Sequence, residues 1–306
     1  MPSETLSAER PWRGRSHGGG LGHALVRAFA RWGGRDLCYL LIIPPTCWFY
    51  VRDGAARRAT VNYWRTLQPT RSAFFAHLNT LRHFYAFARS LADRFIAALD
   101  RRAIRWEEDG LDRLTKALRH PRGCILLSAH LGSFELASFW LAGRYQGTLH
   151  LVMLRAEDPQ VEAQVRRTMG EQPFRIIGLE DPVAAGLAIA SALNNGETCA
   201  ILGDRTIGDI SGTVTVPFLG RPARFPIGPF IAAAVTGALV VPTFCVRVGW
   251  ARYRCVADEP WTIDLGPRAE RQARLQSHVA RWAARLETEV RAHPEQWNNY
   301  YPFWEV

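Results

Sequence analysis

Lysine is nearly missing from this chain. Lys116 is the one lysine among 38 basic residues, so arginine supplies almost all of a net charge of +10. Arginine favours planar, two-pronged contacts with phosphates and carboxylates. The expected partner is therefore anionic: a membrane surface, an acidic carrier protein or nucleic acid. A genome rich in arginine codons would produce the same excess. Long apolar runs are missing too. The most apolar stretch, Asp36 to Val51, offers about 15 apolar residues where roughly 20 are needed to span a bilayer. Cysteine pairs are absent: Cys38, Cys47, Cys124, Cys199, Cys245 and Cys255 are scattered, with no Cys-x-x-Cys. That excludes a zinc ribbon and argues against a disulfide framework. Buried thiols in a reducing compartment, hence a cytosolic catalytic part, are expected instead. There is no Gly-x-Ser-x-Gly, no Gly-x-x-x-x-Gly-Lys-Ser/Thr and no His-Glu-x-x-His. A nucleophile elbow, a phosphate loop and a zincin helix are thereby set aside.

What is present is organised around Gly123 to Trp140. Cys124–Leu127 is a short apolar run behind a turn signal at Pro121 and Gly123, and reads as a buried strand. The run ends at His130, Leu131-Gly132 makes a turn, and Ser133 is placed to cap a helix from Phe134. His130 thus sits at the carboxyl end of a strand, where open α/β sheets place ligands. Glu135 lies in the first helical turn. Across such a corner a carboxylate can hold an imidazole in one tautomer while the other ring nitrogen takes a proton. The plainer alternative is that Glu135 complements the helix dipole and His130 is a satisfied buried histidine.

Taken in order, Met1 to Gly20 is polar and rich in glycine and arginine, which predicts a flexible lead over 1–20. Gly18-Gly19-Gly20-Leu21-Gly22 follows no strand and so is not a dinucleotide loop. Residues 21–58 read as a membrane-associated segment. It opens with an amphipathic helix, Leu21–Trp32, followed by Asp36–Val51. Pro44-Pro45 interrupts any helix there, arginines flank both sides, and Trp48, Phe49 and Tyr50 suit a membrane interface. A monotopic or re-entrant anchor fits this pattern, and a buried, proline-kinked core helix is its alternative. No cleavage site marks it as a removable signal. Residues 59–306 form the remaining domain. Its first part is helical and aromatic-rich through Ala103, with most of the aromatics expected in the core. Strands and helices then alternate: an edge strand at Arg102–Glu107, a helix at Leu111–Leu118, and a strand at Leu149–Leu154. A helix at Pro159–Met169 follows, then a strand at Phe174–Ile177, a helix at Val183–Leu193 and a strand at Thr198–Leu202. The series ends with Val214–Val216, a helix at Ile227–Val235, strands at Ala238–Val246 and Tyr253–Val256, and a helix at Ala269–Ala292. The alternation predicts an α/β fold with a mixed, mostly parallel sheet flanked by helices. Arg155 and Asp204-Arg205 follow two of these strands, so His, Arg and Asp converge on one crevice if the strands run parallel.

The ordered blocks resemble a known family. His130-Leu131-Gly132-Ser133-Phe134-Glu135 resembles the His-x4-Asp/Glu motif of the lysophospholipid and glycerol-phosphate acyltransferase superfamily. Within it the chain is similar to bacterial lipid A late acyltransferases of the lauroyl/myristoyl type. Met153-Leu154-Arg155 and Arg166-Arg167 resemble that family's basic blocks, and Gly203-Asp204 its Asp block. Val216-Pro217-Phe218-Leu219-Gly220, Ala238-Leu239-Val240-Val241-Pro242 and His293-Pro294-Glu295-Gln296-Trp297 resemble three further blocks. Arg205 stands where a Gln is usual. The ending Asn298-Asn299-Tyr300-Tyr301-Pro302-Phe303-Trp304, with Phe225-Pro226-Ile227-Gly228-Pro229-Phe230, resembles acyltransferases of aryl-polyene or related lipid-pigment pathways instead.

The resemblance implies direct acyl transfer from a thioester, on acyl carrier protein or coenzyme A, to a hydroxyl of a lipid or glycolipid acceptor. It implies His130 as general base oriented by Glu135, with Arg155, Arg166, Asp204 and Arg205 as substrate-binding residues. Arg155 or Arg205 is expected to bind phosphate or the oxyanion. No cofactor and no metal are implied. The implied location is the cytoplasmic side of the inner membrane. A basic, non-enzymatic membrane-binding protein is the competing class. Nucleic acid is not an expected partner, because no recognition motif or stacking platform is present.

Overall fold

The computed structural model describes residues 34–142, 144–154, 174–206 and 212–304. The expected flexible lead over 1–20, the Leu21–Trp32 and Pro159–Met169 helices, and Arg155, Arg166 and Arg167 lie outside them.

The chain enters as helix. Residues 34–41 are helical, Ile42 interrupts, and α1 (Ile43–Arg52) begins with Pro44 and Pro45 in its first turn. The prolines start a helix here, where their missing N–H groups cost nothing. Only Cys38, Tyr39 and Thr46 of this stretch are buried, while Leu40, Leu41, Ile43, Trp48 and Val51 are exposed. A buried core helix is therefore not what the segment forms. No helix among the described residues is long and apolar enough to cross a membrane. Helix α2 (Gly54–Leu67) is capped by Asp53, whose side chain accepts from the Ala56 N–H. The long α3 (Ala73–Leu99) then runs back across the molecule. Tyr63, Trp64, Phe84 and Phe95 are buried as expected of core aromatics, but Phe74 and Phe75 at the start of α3 are exposed.

The rest is a sheet wrapped by helices. In chain order the elements are β1 (Arg105–Asp109), α4 (Leu111–Ala117), β2 (Cys124–Ser128), α5 (Phe134–Ala142), β3 (Leu149–Met153) and β4 (Phe174–Gly178). They continue with α6 (Pro182–Asn194), β5 (Thr198–Leu202), β6 (Thr213–Phe218), β7 (Arg221–Pro226), α7 (Gly228–Thr236), β8 (Leu239–Gly249), β9 (Arg252–Ala257) and α8 (Arg271–Ala292). Seven strands form one sheet in the order β1-β9-β8-β2-β5-β3-β4. From β8 to β4 every pairing is parallel, while β9 runs antiparallel to β8 and carries β1 parallel to itself. The mixed, mostly parallel α/β sheet expected from the alternation is the one observed.

Strand β2 lies centrally, and its alternate residues serve two cores. Ile125 and Leu127 pack with Val240, Phe244, Phe230, Trp282 and Leu286 on one face. Cys124 and Leu126 pack with Val241, Cys245, Leu136 and Trp140 on the other. An apolar run without polar alternation is what a parallel strand covered on both faces requires. One element was not expected. Val214–Val216 belongs to a separate hairpin in which β6 pairs with β7 around Leu219-Gly220, both at positive φ (52 and 79). The hairpin delivers Phe218 and Phe225, fully buried, against Trp297 and Phe303.

Candidate active site

The carboxyl ends of β2 and β5 lie side by side, and each releases one polar side chain. Their ladder closes with the Gly203 N–H on the Ser128 carbonyl at 2.8 Å. Beyond it the Asp204 carboxylate takes over. Its Oδ2 accepts the His130 backbone N–H at 3.0 Å, and its Oδ1 lies 2.8 Å from His130 Nδ1. The Trp297 indole N–H donates to Oδ2 at 3.0 Å. Asp204 is buried, and burial pushes its carboxyl up. The His130 charge, the His130 hydrogen bond, the Arg205 charge and the Trp297 hydrogen bond outweigh that, and hold it below the usual carboxylate value. An ionised carboxylate only accepts, so Nδ1 carries the imidazole proton and Nε2 is left with a lone pair. The His130 side chain is 23% exposed, unlike its partner, so Nε2 is the atom a substrate can reach.

The turn carrying His130 is pinned on two sides. Gly132 donates to the Gln296 carbonyl and Ser133 to the Cys245 carbonyl, both at 2.8 Å. Gly132 has φ +71, and a Cβ there would lie 2.0 Å from the Cys245 carbonyl oxygen, so only glycine fits this turn. On the other side the Asn298 N–H donates to the His130 carbonyl at 2.7 Å, and Asn298 Nδ2 to the Gly132 carbonyl at 3.1 Å. The His293–Trp297 block and the residue after it are thus the scaffold of the His130 turn. Trp297 itself is fully buried among Tyr63, Phe218 and Phe303.

Three site expectations meet the structure differently. Ser133 precedes α5 as foreseen, its hydroxyl accepting the Leu136 N–H at 3.4 Å. Asp204 does converge with His130, as the parallel-strand argument required, but it is buried and bonded to the imidazole, whereas the resemblance implied a substrate-binding residue. Glu135, expected to orient His130, is instead bonded to Arg94 of α3 at 2.5 Å, and the carboxylate on the imidazole is Asp204. The physical reason is direction. Glu135 is in the first turn of α5, a helix packed against α3, and its side chain follows that helix face rather than turning back over the strand end. Arg205 is held beside the site by the Asn298 carbonyl at 2.5 Å, its guanidinium over the Tyr301 ring at 5.4 Å. The residues that sequence reasoning missed are Trp297 and Asn298. The signal for Trp297 is the His293–Trp297 block, and Asn298 opens the ending that follows it. Among the described residues no three His, Cys, Asp or Glu side chains converge as a metal site would need.

Comparison with known proteins adds to this geometry. A family model described as bacterial lipid A biosynthesis acyltransferase matches residues 80–304. The chain is also similar to the phosphatidylinositol mannoside acyltransferase of Mycobacterium tuberculosis (strain ATCC 25618 / H37Rv). The two are 27% identical over 289 residues, covering 91% of this chain and 80% of that protein. A phosphatidylinositol mannoside acyltransferase from Mycolicibacterium smegmatis is 25% identical over 202 residues, covering 63% of this chain and 60% of that protein.

Proposed function

The chain belongs to the bacterial lipid A biosynthesis acyltransferase family, and from that premise we propose that it moves a fatty acyl group from a thioester to a hydroxyl of a glycolipid, with His130 as general base and Asp204 as its orienting partner. Membership of an acyltransferase family sets aside the non-enzymatic reading. The single observation that carries the assignment of roles is the 2.8 Å contact between Asp204 and His130 Nδ1, made at adjacent strand ends.

The chemistry follows from that contact. Nε2 takes the proton of the acceptor hydroxyl as its oxygen attacks the thioester carbonyl, and the ionised Asp204 stabilises the imidazolium that forms. The tetrahedral intermediate collapses by breaking the C–S bond. The thiol leaves easily, since its pKa is about 8.5, and the proton on Nε2 goes to the sulfur. The ester bond formed replaces the thioester bond broken, and no acyl-enzyme is needed. Arg205, held by the Asn298 carbonyl beside the His130 turn, is assigned to the oxyanion or to a substrate phosphate. Arg155 and Arg166 keep that role as a proposal.

The two similar proteins bear the name phosphatidylinositol mannoside acyltransferase, which favours a glycolipid acceptor over a pigment-type one. Acyl carrier protein is the favoured donor because the arginine surplus suits an acidic partner. The N-terminal segment is assigned to the membrane surface. Exposed Leu40, Ile43, Trp48 and Val51 stand beside exposed Arg52 and Arg58, an apolar face edged with cations that suits anionic lipid. The test is incubation of the protein with radiolabelled palmitoyl-acyl carrier protein or palmitoyl-coenzyme A and a membrane glycolipid extract. The proposal expects label in an ester-linked glycolipid. Label released only as free fatty acid, or none transferred from either donor into any lipid, would overturn it.

A further inference from the structure

Arg35, Arg89 and Arg247 gather where α3 passes the end of β8 and the start of β9, and among the described residues the last two form no ion pair. Asp93, fully buried on α3, accepts from Arg35 Nε at 2.8 Å, the Tyr39 hydroxyl at 2.8 Å and the Tyr253 hydroxyl at 2.7 Å. Glu135 is taken by Arg94. Arg89 lies one turn before Asp93 on α3, and its guanidinium sits over the rings of Tyr85 and Tyr39 at 4.7 and 5.9 Å. These cation–ring contacts hold the guanidinium in place. Its Nε is buried and has no partner.

Arg247 is the cross-strand partner of Tyr253 and stands two residues past Cys245 on the same sheet face, the face that meets α3. Among the described residues neither Arg89 nor Arg247 forms an ion pair. Burial and the charge of Arg247 hold the Arg89 guanidinium below its ordinary value. Tyr85, Tyr39 and the partly exposed Glu295 act in the opposite sense.

This corner adjoins the reaction centre. Gln296 accepts the Arg247 N–H and donates to its carbonyl, both at 2.8 Å, and the Gln296 carbonyl accepts the Gly132 N–H. Two partly buried guanidinium groups with no ion pair among the described residues are stabilised when an anion joins them. Their fork geometry matches phosphate oxygens.

We propose that Arg89 and Arg247 form a phosphate-binding subsite beside the His130 turn. It takes a phosphodiester carried by one of the two substrates: the headgroup of the lipid acceptor or the pantetheine arm of the thioester donor. This assignment rests on the acyl-transfer reading above for its two ligand sources, and its test does not depend on turnover. Binding of dihexanoyl phosphatidylinositol and of coenzyme A to the full chain is measured by calorimetry. The proteins compared are wild type, Arg89→Gln, Arg247→Gln, the charge-keeping Arg89→Lys, and His130→Ala.

The expected result is affinity for one probe falling about tenfold or more in each Gln variant. His130→Ala should stay within about threefold of wild type, while Arg89→Lys, which keeps the charge and loses the fork, should fall between wild type and Arg89→Gln. The probe that loses affinity names the substrate that carries the phosphate. The subsite is refuted if both probes bind the Gln variants as they bind wild type, or if neither binds wild type at millimolar concentration. Should Arg89→Gln fail to fold by circular dichroism, Arg247→Gln decides alone. Absence of acyl transfer would sink the proposed function and leave these binding results standing.

Discussion

Replacing Asp204 with Asn tests how the carboxylate sets the imidazole. Asp204 accepts three N–H groups: His130 Nδ1–H, the His130 backbone N–H and the Trp297 indole N–H. An amide offers one oxygen. Turned toward the backbone and indole donors, it satisfies two of the three and presents its NH2 to Nδ1. The imidazole must then accept at Nδ1 and carry its proton on Nε2, the atom meant to take the substrate's proton. The same switch in a hydrolase triad costs about ten-thousand-fold. Asp204→Asn is therefore expected to lower kcat about a thousand- to ten-thousand-fold, or about 4–5.5 kcal/mol of barrier. Loss of the buried charge–donor contacts should lower stability by about 1–3 kcal/mol. Initial rates of labelled acyl transfer and urea unfolding of the same preparation give both numbers. A folded Asp204→Asn enzyme within tenfold of wild-type kcat would refute the tautomer argument.

Glu135→Gln should behave differently, because Glu135 is bonded to Arg94 and not to the imidazole. We expect a loss of about 1 kcal/mol of stability for this partly exposed pair and turnover within tenfold of wild type; a loss as deep as that of Asp204→Asn would return Glu135 to the base's side. Gly132→Ala puts a Cβ 2.0 Å from the Cys245 carbonyl oxygen at φ +71. The turn must move, which should cost about 2 kcal/mol or more, and an unchanged melting temperature would show that the turn is not pinned as described. His83 is fully buried beside Tyr63 and Trp64, and burial pushes its imidazole down to about 4. A histidine lowered in the folded state is protonated first in the unfolded chain, so stability falls as pH drops from its unfolded value toward its folded one. From pH 7.5 to 5.0 the expected loss is about 2 kcal/mol. His83→Phe should remove it, and parallel pH dependences for the two proteins by urea unfolding would contradict the assignment.

Local signals carried much of the fold. The run Cys124–Ser128, its turn and the Ser133 cap are contiguous, and each is decided by neighbours in the chain, so the corner that presents His130 was legible before any tertiary contact. Strand β5 was read to the residue for the same reason. Strand β7 was not, because Arg-Pro-Ala-Arg-Phe-Pro has two prolines and only Ala223 and Phe225 turned inward, and it persists in a two-stranded ribbon where Pro222 faces Pro217. The partner of His130 was half legible. Parallel neighbours bring residues 74 apart in sequence together, so the convergence of strand ends followed from topology. Which carboxylate turned toward the ring did not, because that depends on α5 packing against α3 and on Trp297 arriving from beyond α8. Spacing placed Glu135 near His130; the helix face sent it to Arg94.

The central claim is that His130 is the base of an acyl transfer. The most direct measurement is the rate of labelled palmitoyl transfer to the glycolipid acceptor by wild type and His130→Ala, with folding of both verified by circular dichroism. His130→Ala is expected to stay folded and to transfer label at least about a hundredfold more slowly. Transfer at the wild-type rate by folded His130→Ala would contradict that claim.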